Sequence, residues 1–223
     1  MHNENLVKSV GALLAVGAVV FAAGMVLHPP EVPDPTAQQA IVVAQAGAWS
    51  LAHWLVTFGA LAITVAGLVA LAATRLGRGA LGVTGWALLT VSFLLFLPVP
   101  AIEATVAVAT AVAGDGATFA LLQTIVFGLL TTLPFVFLGL ALVGAGEARA
   151  AQAAVPRVLA WLGVAIGGVA FLVVAATLWA GNAAAAGLFN PVALLSLLWL
   201  VAYGGTVAAR GAPAVADVGA ATA

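Results

Sequence analysis

Six apolar stretches of about 20 residues, each without aspartate, glutamate or arginine, constrain the fold of this chain more than any other feature. A helix needs about 20 apolar residues to cross roughly 30 Å of hydrocarbon. The stretches are residues 6–27, 50–73, 80–97, 117–143, 158–180 and 191–209. They predict an all-α fold, a polytopic integral membrane bundle of six transmembrane helices.

The composition excludes a soluble globular domain. Hydrophobic residues make up 65% of the chain and charged residues 6%, whereas a soluble domain carries about 25% charged residues. The lipid bilayer is therefore the main predicted partner. A net charge of −1 without a basic cluster predicts no nucleic-acid partner. The absence of cysteine excludes disulfides and thiolate metal ligands.

The basic residues predict the orientation of the bundle. With six spans, all of them fall on one side of the membrane, and such residues favour the cytoplasmic side. They are Lys8, Arg75, Arg78, Arg149, Arg157 and Arg210. We therefore predict a multi-pass protein of the cell (cytoplasmic) membrane with both termini in the cytoplasm. Arginine outnumbers lysine five to one in an alanine-rich chain, which is typical of a GC-rich prokaryotic genome.

The chain is predicted to form a single six-helix domain, residues 1–210, followed by a short disordered cytoplasmic tail, residues 211–223. Two outer segments are too long to be simple loops. In residues 29–49, Asp34 and Pro35 predict the start of a helix that continues from Thr36 into the second span. In residues 98–116, two prolines break or kink the third helix. An apolar helix follows there, either in the outer interface or against the outer part of the second helix.

Three side chains capable of chemistry share one membrane depth at the outer face. They are His28 at the end of the first span, His53 in the second and Glu103 after the third. Imidazole and carboxylate groups suit zinc, copper or non-haem iron, and two histidines can ligate haem. A histidine–carboxylate pair can also exchange protons. Alternatively, the three are unrelated interfacial residues, because an imidazole suits the membrane boundary.

A seam of small and polar residues follows one face of the second helix. Ser50, His53, Thr57 and Thr64 are spaced at steps that place them along one side, with Ala60 and Gly67 between or beyond them. The opposite face is mostly large and apolar. The seam is therefore predicted to face protein or a cavity. A cavity along the seam would suit the passage of a small neutral solute.

One segment resembles a known group of proteins. Residues 133–169 read "LPFVFLGLALVGAGEARAAQAAVPRVLAWLGVAIGGV", in which a helix ending in "LGLAL" and a short basic loop precede "VPRVLAWLG". This pattern resembles uncharacterised six-helix prokaryotic membrane proteins classed as domains of unknown function. The resemblance covers about one sixth of the chain. It implies a six-helix bundle and transfers no activity or site residue.

These observations favour a non-catalytic accessory, sensory or complex-forming subunit. Its outer-face cap would meet a second copy or another membrane protein. One alternative is a membrane enzyme or a protein that binds a transition metal or haem through His28, His53 and Glu103. A second alternative is a facilitative transporter of a small neutral solute. The sequence leaves open whether the chain is an enzyme.

Overall fold

The structure, a computed structural model, describes residues 2–74, 76 and 79–211, and this part of the chain is helical without strands. Six helical runs are long and apolar enough to cross a membrane, which confirms the six predicted spans. They are Glu4–Leu27, Ala46–Ala73, Ala80–Val112, Gly116–Arg149, Arg157–Ala180 and Phe189–Arg210. Arg75, Arg78 and residues 212–223 of the predicted tail lie outside the described residues.

The described chain forms eleven α-helices and one π-helical turn. The helices are α1 His2–Leu27, α2 Pro35–Ala44, α3 Ala46–Ala73, α4 Ala80–Phe96, α5 Pro98–Ile102, α6 Val108–Val112, α7 Gly116–Leu130, α8 Pro134–Arg149, α9 Arg157–Ala180, α10 Ala183–Ala186 and α11 Phe189–Arg210. The π-helical turn, Glu103–Ala107, joins α5 to α6. The third and fourth spans are therefore compound, while the other four contain one long helix each.

The six spans form a closed ring in chain order. Helix α1 packs on α3, α3 on α4, α4 on α8, α8 on α9, α9 on α11, and α11 returns to α1. Aromatic side chains fill the interior. Phe21 contacts Phe93 and Phe96 across the ring, with centroid distances of 6.0 and 5.9 Å. Trp86 and Tyr203 meet from α4 and α11 at 6.0 Å.

Glycines allow the backbones of neighbouring spans to touch, as small residues do where helices associate in lipid. A Cβ on Gly204 of α11 would lie 2.6 Å from the carbonyl oxygen of Gly11 in α1. A Cβ on Gly85 of α4 would lie 2.5 Å from the backbone nitrogen of Val143 in α8. In α9, Gly163 faces the ring of Trp199. Glycine contacts thus hold the ring together at several interfaces.

The third span is longer than predicted. Helix α4 ends at Phe96, close to the predicted end at residue 97, but α5, the π-helical turn and α6 continue the helical run to Val112. Pro98 opens α5, and the first turn of a helix tolerates proline because its N–H groups have no partner within the helix. The extension packs against α3, which agrees with the second of the two predicted placements.

The start of the second span also differs from the prediction. Asp34 caps α2 by accepting a hydrogen bond from the backbone of Ala37 at 2.8 Å, as expected. However, the helix does not continue into the membrane, because Gln45 adopts φ −125° and ψ 30°. This break lets α2 pack on α6 and α7.

Helices α2, α5, α6 and α7 and the π-helical turn form the outer cap, residues 35–44, 98–112 and 116–130. Together with the outer end of α3, the cap encloses a small hydrophobic core of its own. This core comprises Val42, Trp49, Ala107, Ala111 and Phe119. Asp115 caps α7, and hydrogen bonds from the side chain and backbone of Thr118 lower the pKa of its carboxyl. The cap confirms the predicted extra helices on one face.

The two ends of the described chain meet on the face opposite the cap. A Cβ on Gly211 would lie 2.8 Å from the Cγ of Glu4 and 3.1 Å from the Cε of Lys8. Arg149 is the last residue of α8 and Arg157 the first of α9, and both lie on the same face. This is the face that the distribution of basic residues in the sequence predicts to be cytoplasmic.

Candidate functional site at the outer rim

Two histidines meet where α1 and α3 reach the outer rim. His28 directly follows α1, and His53 lies in the outer part of α3. Their Nε2 atoms are 3.2 Å apart, and their ring centroids are 4.6 Å apart. His53 is buried and His28 is partly buried. The structure thus brings together two of the three residues that the sequence placed at one depth.

Backbone carbonyls fix the other nitrogen of both rings. Nδ1 of His28 lies 2.6 Å from the oxygen of Pro29, and Nδ1 of His53 lies 2.9 Å from the oxygen of Trp49. A carbonyl oxygen only accepts, so each Nδ1 must carry the proton and donate. In the neutral imidazoles both Nε2 atoms then present lone pairs, and these lone pairs face each other.

Trp49 connects the histidines to the cap. Its indole is buried, with centroids 4.7 Å from His28 and 4.9 Å from His53. The indole Nε1–H donates to Oε2 of Glu103 at 3.2 Å. One side chain therefore contacts both imidazoles and the carboxyl that the sequence analysis singled out.

Glu103 lies in the π-helical turn and is buried, so it does not face water from an interfacial helix. Its second oxygen, Oε1, accepts a hydrogen bond from Nε2 of Gln123 in α7 at 2.9 Å. Ser50 donates to the carbonyl of Ala104 at 2.9 Å in the same region. We call His28, His53, Trp49, Glu103 and Gln123 the outer polar cluster.

Of the predicted metal ligands His28, His53 and Glu103, the two histidines contact each other, and Glu103 is linked to them through Trp49. Among the described residues, no three histidine, cysteine, aspartate or glutamate side chains lie, as placed, in a group that could hold a metal ion. The acidic side chain nearest to the histidine pair is different. Oε1 of Glu31 lies 3.6 Å from Nε2 of His28, and the Glu31 side chain is largely exposed.

The polar side chains of the α3 seam make hydrogen bonds inside the protein. Thr57 donates to the carbonyl of His53 and Thr64 to that of Ala60, both at 2.8 Å. His53 and Ser50 at its outer end belong to the contacts of the outer rim. The seam faces protein, in agreement with one of the two predicted alternatives. The hydroxyls that could have lined a solute path are bonded to their own helix, so the transporter alternative gains no support.

Sequence reasoning missed three members of this region. These are Trp49, Gln123 and Glu31. The one available signal was spacing. Trp49 stands four residues before His53, which places both on one helix face.

A second buried polar group lies near the opposite end of the ring and was also missed. Glu147 accepts from the hydroxyl of Tyr203 at 3.0 Å and from the backbone of Ala154 at 2.8 Å. The Tyr203 ring stacks on Trp199 at 5.0 Å. This group joins α8, α11 and the loop before α9, so its contacts serve to close the ring.

No family model matches this chain, and comparison with curated proteins and solved structures finds no match. The resemblance to uncharacterised six-helix membrane proteins therefore stays a prediction.

Proposed function

We propose that the protein is a non-catalytic sensory or accessory component of the cytoplasmic membrane, with the outer cap facing away from the cytoplasm. In this proposal the histidine pair receives the stimulus and the cap passes it to a membrane-protein partner or a second copy. The sharing of Trp49 between the two histidines and Glu103 carries the proposal.

The contacts connect four parts of the fold: His28 after α1, helix α3, the π-helical turn and helix α7. A change at His28 or His53 alters the surface against which the Trp49 ring packs. Trp49 then acts on Glu103, and Glu103 on Gln123 of α7, through one hydrogen bond each. Coupling between distant sites needs a physical element that both sites contact, and Trp49 is such an element.

The architecture supports a role outside the membrane core. The interior of the ring is filled by packed aromatic side chains, including Phe21, Phe93 and Phe96. The π-helical turn that carries Glu103 is a kind of irregularity often found at functional sites. The groups available for chemistry thus concentrate at the boundary between the ring and the cap.

Amide hydrogen exchange of the purified protein, followed by mass spectrometry, tests this coupling. Trp49→Phe keeps an aromatic ring but removes the N–H that donates to Glu103. Loss of one buried hydrogen bond should raise exchange in residues 98–130 by about tenfold. His53→Ala should raise exchange in the same region, although its contacts reach α7 only through Trp49 and Glu103.

Trp54→Phe is the matched control. Trp54 is on the same helix but is exposed and stacks on Phe58, so its replacement should leave the cap unchanged. If His53→Ala altered exchange only around residue 53, with α7 as in the wild type, the histidine pair would not act on the cap. That result would overturn the proposed function.

A further inference from the structure

We propose that His28 and His53 bind a divalent transition-metal ion of the zinc class at the outer rim, with Glu31 as the third ligand. The inference deepens the proposed function, on which its biological role rests, because it names the chemical class of the stimulus.

The spacing of the two Nε2 atoms suits a common metal. Zinc–imidazole bonds measure about 2.0–2.1 Å, so two Nε2 atoms 3.2 Å apart would subtend an angle of about 100° at the ion, close to tetrahedral. Haem does not fit, because two axial nitrogens on opposite sides of an iron are about 4 Å apart, twice a metal–nitrogen bond.

The orientation of both rings also suits metal binding. A histidine ligand usually donates its other N–H to a carbonyl or carboxylate, which fixes the ring and its tautomer. Pro29 and Trp49 supply such carbonyls to His28 and His53. The two Nε2 atoms then face each other at hydrogen-bond distance, where either a proton on one ring or a metal ion can engage both. A metal ion would use both lone pairs at once.

Glu31 can complete the site by a small movement. Its Oε1 is 3.6 Å from Nε2 of His28, and its side chain is 67% exposed and thus free to rotate. Glu31 belongs to the proline-rich loop, residues 28–34, whose course is held by the bond from the Val32 backbone to Gln38 of α2 at 2.7 Å. The histidines are therefore preorganised, and the carboxylate closes from the solvent side.

The donor set selects the ion. Two imidazoles with one carboxylate suit zinc, copper or non-haem iron, whereas calcium and magnesium prefer sites made entirely of oxygen atoms. Because His53 is buried and His28 partly so, the ion would enter from the outer rim beside Glu31.

Calorimetric titration of the detergent-solubilised full chain, without a polyhistidine tag, tests the site with Zn²⁺ as the probe. We expect one equivalent to bind to the wild type, with no heat from Mg²⁺ at the same concentration. Loss of a residue that hydrogen-bonds a metal ligand lowers metal affinity about 10–100-fold, and loss of a ligand itself should cost more. His28→Ala and His53→Ala should therefore each lower zinc affinity at least about 100-fold. Glu31→Ala, which removes the third ligand, should lower it by at least about tenfold.

His2→Ala is the matched control, because His2 lies at the other end of α1 and its loss should leave binding unchanged. Glu31 is exposed, so Glu31→Ala tests the site without the risk of misfolding. Wild type that takes up no Zn²⁺, or equal affinity in His53→Ala and His2→Ala, would overturn the metal site. The exchange response of the cap to His53→Ala would still stand in that case, so the two proposals fail separately.

Discussion

Replacing Gly204 with valine should separate the first and last spans and open the ring. The new Cβ would lie 2.6 Å from the Gly11 carbonyl oxygen and 2.8 Å from the Ala15 backbone nitrogen. Backbone atoms cannot rotate away as a flexible side chain can, so the helices must move apart. Overpacking costs about 1–3 kcal/mol, and a clash with backbone should reach at least the upper end, about 3 kcal/mol.

The neighbouring residue provides the control for this variant. A Cβ on Gly205 would meet no atom within 4 Å, so Gly205→Val adds the same side chain to the same helix without a clash inside the protein. Thermal unfolding in detergent, followed by size-exclusion chromatography, compares the two. We expect a large fall in the apparent melting temperature for Gly204→Val alone. Equal melting of both variants would show that the α1–α11 contact does not hold the ring closed.

Replacing Tyr203 with alanine should have the second large effect. Tyr203 is 1% exposed and lies between Trp86 and Trp199 in the ring interior. Truncation of a buried aromatic side chain costs about 3–5 kcal/mol, because it leaves a cavity that the surroundings fill only partly. The cost should be close to that range here, since both neighbouring tryptophans lose a packing partner.

Tyr203→Phe separates packing from hydrogen bonding. Phenylalanine keeps both aromatic contacts and removes only the hydroxyl that donates to Glu147. Loss of this buried hydrogen bond should cost about 1–3 kcal/mol, less than the alanine variant. Chemical denaturation in mixed micelles measures both. If the two variants were equally unstable, the bond to Glu147 rather than ring packing would determine the contribution of Tyr203.

The sequence predicts the number of spans because hydrocarbon thickness fixes their length and excludes charge from them. It also predicts the shared depth of His28, His53 and Glu103, since topology alone determines which helix ends meet at one face. The prediction does not extend to contacts within that face. An indole at a membrane boundary suits both an aromatic belt and a buried site, and only the fold shows that Trp49 is enclosed by the cap.

The remaining differences arise from tertiary packing. Residues 36–45 contain no glycine or proline, so the nearest local signal is Gly47, two residues after the break at Gln45 that the packing of α2 on the cap requires. Pro98 and Pro100 predict an interruption, and α4 does end at Phe96, but no local signal shows that helical structure resumes directly at Pro98, where the first turn of a helix tolerates proline. Glu147 lies near a helix end, where exposure is the usual expectation, but Tyr203 and the backbone of Ala154 enclose it.

The closed ring also makes the starting point of the chain interchangeable. Gly211 lies beside Glu4 and Lys8, so a short linker could join residue 211 directly to the start of α1 while the loop at residues 150–156 is cut. The reordered protein would begin with α9 and finish with α8, and its new ends would again fall on the face opposite the cap. The same six neighbour contacts would form, because each helix adjoins the next around the circle rather than along a line.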